Sequence, residues 1–284
     1  LTRAEQCAVD AKTRLSSPAA SIIAILIAIF WTLPTAGLLI TSIRPSQDAK
    51  KTGWWTVLFN PNFTLDNYAT VLGQKSLGMN LINSFVITIP GVLIPIMLAL
   101  LAAYAFAWID FKGRSFLFAA VFALQVVPIQ VTLIPLLTTY VKLGLAGTFW
   151  TVWLSHAIFG MPLAIFLLHN FMKEIPRSLI EAARVDGAGH VRVFFQVLMP
   201  LLTPAIASFG IFQFLWVWND LLVAMTFSGP DSQPITATIA QMMTNLSSNS
   251  DLLAPAAFIA MFVPVVVFLS LQRFFVRGLL AGGV

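Results

Sequence analysis

Six stretches of this chain run for more than 20 residues without a charged side chain: 15–43, 76–109, 115–141, 143–172, 193–219 and 252–272. A helix needs roughly 20 residues to cross the hydrocarbon core of a bilayer, so each window is long enough to span it. Backbone polar groups find no water in lipid and must pair within a helix or a closed barrel. The windows lack the apolar/polar alternation, about ten residues at a time, that marks barrel strands, which leaves helices. Composition agrees, with 58% hydrophobic and 10% charged residues, against roughly 45–50% and about 25% in a soluble domain. The expected fold is all-α: a polytopic membrane protein with six transmembrane helices, at about 21–43, 80–108, 115–140, 148–171, 200–225 and 252–275.

One further uncharged window, Ser232 to Ser250, carries Ser, Thr, Asn or Gln on nearly every turn and is read as a polar loop. The first apolar run, Ile22 to Ile43, follows a tail containing Arg3, Lys12 and Arg14. It is too long for a secretory signal and no small-residue cleavage site follows, so it is the first span. Residues 1–17 form the N-terminal tail and 18–284 the transmembrane domain. The chain starts at Leu1 and not at a methionine, so a short preceding piece is expected.

Orientation follows from the basic residues. With six spans, the N-terminal tail, the 109–114 turn, the 172–199 loop and the C-terminus share one side and hold 11 Lys and Arg, against 5 on the other side. Positive residues are retained in the cytoplasm, which puts both termini and the 172–199 loop on the cytoplasmic side of the cell membrane. The net charge of +5 is thus a topology signal and not a nucleic-acid footprint. The single cysteine, Cys7, lies in the tail, so no disulfide framework exists.

The 172–199 loop is the polar interruption between spans four and five. Ser178-Leu-Ile-Glu181 has the spacing of a capping box, in which serine and glutamate satisfy each other's backbone N–H. Gly187 is placed to close a helix of about two turns in the left-handed region. A second helix is expected with Val191, Phe194, Phe195 and Leu198 on its apolar stripe and Arg192 and Gln196 outward. On physics alone, a simple connector with Glu181 as a cap is an equal alternative.

The run Glu181-Ala-Ala, three residues, Gly187, nine residues, then Val197-Leu-Met-Pro200 resembles the EAA loop of binding-protein-dependent ABC importer permeases. Val197 and Met199 replace the isoleucine and leucine of that pattern conservatively. Asn67-Tyr68, Asn80, Asn83-Ser84, Trp218-Asn219-Asp220 and Gln272-Arg273-Phe-Phe-Val-Arg277-Gly278 are similar to segments of the carbohydrate permeases within the family, especially the smaller permease of maltose- and α-glucoside-type systems. The resemblance covers essentially the whole chain. It implies a type I importer permease fold and a heteromeric complex: a second, different permease, two ATP-binding cassette subunits, and an extracytoplasmic binding protein that delivers a sugar such as maltose, trehalose or another α-glucoside. It implies that Glu181, Ala182, Ala183, Arg184, Asp186 and Gly187 form a coupling helix docked on an ATPase subunit. ATP and magnesium then belong to the partner subunits, and the chain carries no G-x-x-x-x-G-K-[ST] loop of its own. An importer of a non-sugar solute and a membrane-embedded enzyme are the alternatives.

Enzyme and metal readings lack clusters. His156, His169 and His190 share no ligand spacing, and no G-x-S-x-G elbow occurs. His156 is read as a hydrogen-bonding partner within the bundle. Asn219 and Asp220 end an otherwise apolar fifth span, about 30 Å along the helix from Pro200. A carboxylate there is a functional candidate by default, with a structural contact as the alternative. Trp216, Asn219 and Asp220 are therefore the substrate-pathway candidates. Trp216 and Trp218 can serve as interfacial anchors or as sugar-stacking surfaces. Prolines recur in the spans, Pro128 and Pro135 in the third among them, and each permits a kink. Trp54, Trp55, Phe59, Phe63 and Tyr68 in the 44–79 loop suit the headgroup layer or a docking surface.

Overall fold

The structure, a computed structural model, describes residues 18–73, 75–244 and 246–281. These residues form helices and turns joined by one isolated bridge, and divide into two compact units. Cys7 and the side chains of Arg273 and Arg277 lie outside the described residues.

The first unit holds residues 18–73 and 246–258. Its helix α1, Pro18–Ser42, is apolar all round and exposed along nearly its whole length, with only Gly37 and Ser42 buried. That is the signature of a helix whose solvent is lipid or another apolar partner. The segment read from sequence as an outer loop is structured: α2 (Ser46–Lys51), a 3-10 turn (Trp54–Leu58) and α3 (Asp66–Gly73). Buried Arg44 organises it. Its guanidinium donates to the carbonyls of Thr52 at 3.1 Å and Gly53 at 3.0 Å and to the Thr56 hydroxyl at 3.0 Å. The Asn67 amide donates to the Arg44 carbonyl at 2.6 Å and accepts from the Ser46 hydroxyl at 2.7 Å, while the Tyr68 and Ser42 hydroxyls lie 2.7 Å apart. A buried charge is tolerated only when its donors are satisfied in this way. Trp54 closes over Gly37, where a Cβ would sit 2.7 Å from the indole nitrogen. Trp55, Leu58, Phe59 and Phe63 remain exposed.

The second unit holds residues 75–244 and 259–281. Helix α4 (Lys75–Trp108) begins five residues earlier than expected and runs on to residue 108 as read from sequence. The third span is not one helix. Helix α5 (Arg114–Val126) and helix α6 (Ile129–Lys142) meet at 101°, with Val127 and Pro128 extended between them. Pro128 has no N–H to continue the helix and biases Val127 away from helical angles. Helix α7 (Phe149–Glu174) packs along α4, and the small residues Ala99 and Ala103 of α4 and Ala164 of α7 are buried in one core, which lets backbones approach closely. After α8 (Arg177–Val185), one continuous helix, α9 (His190–Trp218), replaces the expected short helix plus fifth span; it ends at Trp218 and not near 225. Helices α10 (Leu222–Phe227) and α11 (Ile235–Thr244) follow, then α12 (Leu246–Ala281), shared between the units.

The window 232–250 is therefore largely helical, contrary to its polar reading. Ile235, Ala237 and Met242 are buried, and contacts with α4 outweigh the weak propensities of its polar residues. Two hydrophobic cores fill the second unit. One, around Leu168, Met172, Ile180, Phe194 and Leu198, lies where the 172–199 loop returns to the bundle. The other, around Ile87, Tyr140, Val152, Val217 and Phe227, marks the far end. The turn after α6 is tied to that far end: Gly229 N–H donates to the Gly147 carbonyl at 3.1 Å, as does the Ser232 hydroxyl at 2.8 Å. Arg114, at the start of α5, lines one cleft with Glu181 at the loop end. The bent pair thus runs from one end of the unit to the other, as a span broken at Pro128 would.

Candidate functional site

Helix α8 starts at Arg177 behind Pro176, whose fixed φ and missing N–H suit a helix start. The expected capping box is absent: Ser178 lies inside the first turn and no side chain caps the helix. Pro176 shifts the start ahead of the serine, so its hydroxyl faces solvent. The other end is as expected. Gly187 has φ 79°, its N–H donates to Arg184 at 3.0 Å, and Ala188 N–H donates to Ala183 at 2.9 Å. These two bonds make a Schellman closure. No atom lies within 4 Å of a Cβ built on Gly187, so the backbone angle alone demands glycine there.

The loop is clamped to the bundle on one face. Ile180 is buried in the core, and Tyr104 of α4 places its hydroxyl 2.7 Å from His190 Nδ1 and its ring edge-on to Phe194. Over Val193–Leu198 helix α9 widens to a π-helix just before Pro200, which cannot donate to the preceding turn. That extra residue per turn changes the stripe read from sequence. Phe194 and Leu198 are buried as expected and are joined by Val193, while Val191 and Phe195 turn outward. Arg192 and Gln196 do face outward, bonded to each other at 2.9 Å.

The opposite face of the loop presents exposed Leu179, Val185, Val191 and Phe195, with Val185 88% and Val191 73% accessible. Glu181, Ala182, Arg184 and Asp186 are exposed beside them, and Ala183 packs against the core. Glu181 also lines a cleft of about 160 Å³ with Asp110, Arg114, Arg177 and Arg184. A rigid helix with an apolar outer face and mixed charges at its edge can seat in a groove of another protein.

At the far end, the structure brings Trp216 and Asp220 together around His156 and leaves Asn219 apart. His156 is buried, edge-on to Trp216 at 5.3 Å between centroids, with Nε2 3.8 Å from the Asp220 carboxylate. That separation is too long for a hydrogen bond, and Nδ1 is unpartnered among the described residues, so the expected bundle hydrogen bond is not formed. Asp220 instead caps α10, accepting from Ala224 N–H at 2.9 Å and Val223 N–H at 3.3 Å. Asn219 bonds back to the Leu215 carbonyl at 2.7 Å and is exposed. Trp218 is a packing residue: it is buried between Phe85 and Phe214, and its indole N–H donates to Ala260 at 3.0 Å.

Asn80, Asn83 and Ser84 hold the loop after α10. Asn83 donates to the carbonyls of Asp231 at 3.0 Å and Gln233 at 3.1 Å, Ser84 accepts from Ile235 N–H at 2.9 Å, and Asn80 bonds to Thr238. Sequence reasoning did not identify Gln213. It is buried in α9, donates to the Gly91 carbonyl at 3.2 Å, and fits only because Gly160 lacks a Cβ, which would fall 2.7 Å from its amide. A lone glutamine in an apolar span is its signal.

The sequence profile of a family described as the binding-protein-dependent transport system inner membrane component matches residues 91–280. The osmoprotective compounds uptake permease protein of Synechocystis sp. is 52% identical over 264 residues, covering 91% of this chain and 89% of its own length. The alpha-glucoside transport system permease protein of Rhizobium meliloti is 47% identical over 238 residues, 81% of this chain but 63% of its own length. The trehalose transport system permease protein of Mycobacterium tuberculosis is 32% identical over 258 residues, 89% and 92% of the two chains. Among solved structures, a chain of a bacterial ABC transporter involved in the import of the acidic polysaccharide alginate superposes with a TM-score of 0.70 at 21% identity, over 91% of this chain and 98% of that one. At that identity the likeness is one of fold.

Proposed function

The chain belongs to the family of binding-protein-dependent transport system inner membrane components, and on that premise we propose that it is the subunit through which an ATP-driven importer passes a neutral glycoside. The family is that of ABC importer permeases, and the chain is an inner-membrane component with several membrane-crossing helices. Relatives named for alpha-glucoside and trehalose transport support an α-glucoside as cargo. The relative named for uptake of osmoprotective compounds supports a second reading, an osmoprotective solute as cargo.

The 172–199 loop is the ATPase-docking element in this proposal, with Glu181, Arg184 and Asp186 at its charged edge and Gly187 closing it. One observation carries that role: the outer face of a loop locked to the core by Ile180, Tyr104 and the Gly187 turn exposes four large apolar side chains. A partner that buries them is the natural cover for such a patch. ATP and magnesium would bind to that partner, and this chain would perform no chemistry. A second permease and an extracytoplasmic binding protein complete the proposed complex, with both termini of this chain cytoplasmic.

Co-expression with the ATPase subunits tests the docking. A cysteine at Val185, in a Cys7→Ser background, should cross-link to an ATPase subunit when the complex is intact. Failure to cross-link from Val185 and Val191 alike would leave the loop as a simple connector.

A further inference from the structure

We infer that this chain touches its cargo at the break between α5 and α6, through the side-chain amides of Gln125 and Gln130. The inference deepens the glycoside reading above and rests on it. Val127 is 13 residues from Arg114 and Pro128 is 14 residues from Lys142, so the 101° bend falls midway between the charged ends of a crossing element. Non-helical backbone at that depth persists only where protein buries it or where it lines a water-filled cavity. The described residues do not bury it, since Leu124, Val126 and Val127 are all exposed. Instead the bend opens on a cavity of about 580 Å³, walled on the α7 side by Phe159 and Pro162. That volume falls in the range of roughly 300–1,000 Å³ typical of small-ligand sites.

The lining chemistry selects the cargo. Gln125 and Gln130 flank the bend and line the cavity, and their side-chain amides make no hydrogen bond with another described residue. An unpaired amide facing hydrocarbon is unfavourable, and a glutamine amide both donates and accepts, as a sugar hydroxyl does. Among the described residues no charged side chain lines the cavity, and Thr132 and Thr139 add hydroxyls beside apolar walls. Such a surface offers hydroxyl partners and C–H contacts to a neutral polyol and nothing to balance an ion. Broken helices that line the binding site near mid-membrane are a recurrent transporter solution to the same constraint.

The test uses the full complex in proteoliposomes, with its binding protein and maltose or trehalose as probe. The Gln125→Leu/Gln130→Leu double variant should assemble normally and hydrolyse ATP in response to loaded binding protein, yet take up at least tenfold less sugar per ATP hydrolysed. In a Cys7→Ser background, Gln130→Cys should react with a small thiol reagent, and sugar-loaded binding protein with ATP should slow that reaction at least threefold. Unchanged uptake and unprotected labelling in a complex whose wild type transports sugar would overturn this site and leave the glycoside reading standing. Dissociation of the double variant from the partner permease would also overturn it, by showing the break to be a packing surface. A wild-type complex that takes up no glycoside would remove both the glycoside reading and this site.

Discussion

Tyr104 and His190 join the bundle to the polar loop: the phenol oxygen of one lies 2.7 Å from Nδ1 of the other, immediately after the turn closed by Gly187. Tyr104 stands near the end of α4, so any displacement of α8 and its turn meets a span directly. Tyr104→Phe removes this bond and keeps the ring on Phe194. A neutral hydrogen bond contributes about 0.5–1.5 kcal/mol, so the variant should fold, and its sugar uptake per ATP should fall several-fold. Parallel measurement of uptake and hydrolysis distinguishes this from simple loss of protein.

Gly187 makes a sharper case, because space is not the issue there. A bulky L-residue in the left-handed region costs roughly 1–2 kcal/mol, and nothing surrounds the site to clash with a new side chain. Gly187→Val should reach the membrane at normal levels and lose uptake at least tenfold, while Gly187→Asn, which tolerates that region, should keep most of it. Equal uptake by the two variants would show that the turn does not matter.

Asp220 entered as a substrate candidate and is placed by the structure as a cap. Replacing a capping side chain by alanine costs about 1 kcal/mol. Asp220→Ala should lower the thermal midpoint of the complex, and Asp220→Asn, which keeps an acceptor oxygen toward Val223 and Ala224, should recover most of it. Should Asp220→Asn abolish sugar uptake without any change in stability, the carboxylate has a direct role in the pathway.

Much of this was legible because lipid imposes length and charge rules that sequence obeys visibly. The uncharged windows located the long apolar helices, and Gly187 announced its left-handed turn. What stayed hidden depends on neighbours. Pro34, Pro90, Pro95, Pro135 and Pro162 all sit inside helices, while Pro128 stands at the break of the third span; no local rule separates it from those five. Arg44 counted toward topology is a buried hub for the carbonyls of Thr52 and Gly53, eight and nine residues further on. The π-helical turn before Pro200 moved Val191 and Phe195 outward, and a strict 3.6-residue period does not contain it. Ser178 matched a motif that Pro176 pre-empted.

Orientation rests on the basic-residue count and can be read by labelling. In a Cys7→Ser background, Asn60→Cys should react with an impermeant thiol reagent in intact cells, and Ser178→Cys only after the membrane is opened. Both positions are exposed in the structure. Reaction of Ser178→Cys in intact cells would reverse the topology and remove the loop from the ATPase side.

In the proposed complex this permease couples ATP hydrolysis to import of a neutral glycoside delivered by a binding protein. Uptake of labelled sugar into proteoliposomes holding the whole complex, with ATP on the loop side, measures it directly. Accumulation should require ATP and loaded binding protein, be competed by α-glucosides, and be lost in Gly187→Val. Accumulation of amino acids or peptides in place of glycosides, or uptake indifferent to ATP and to Gly187→Val, would contradict it.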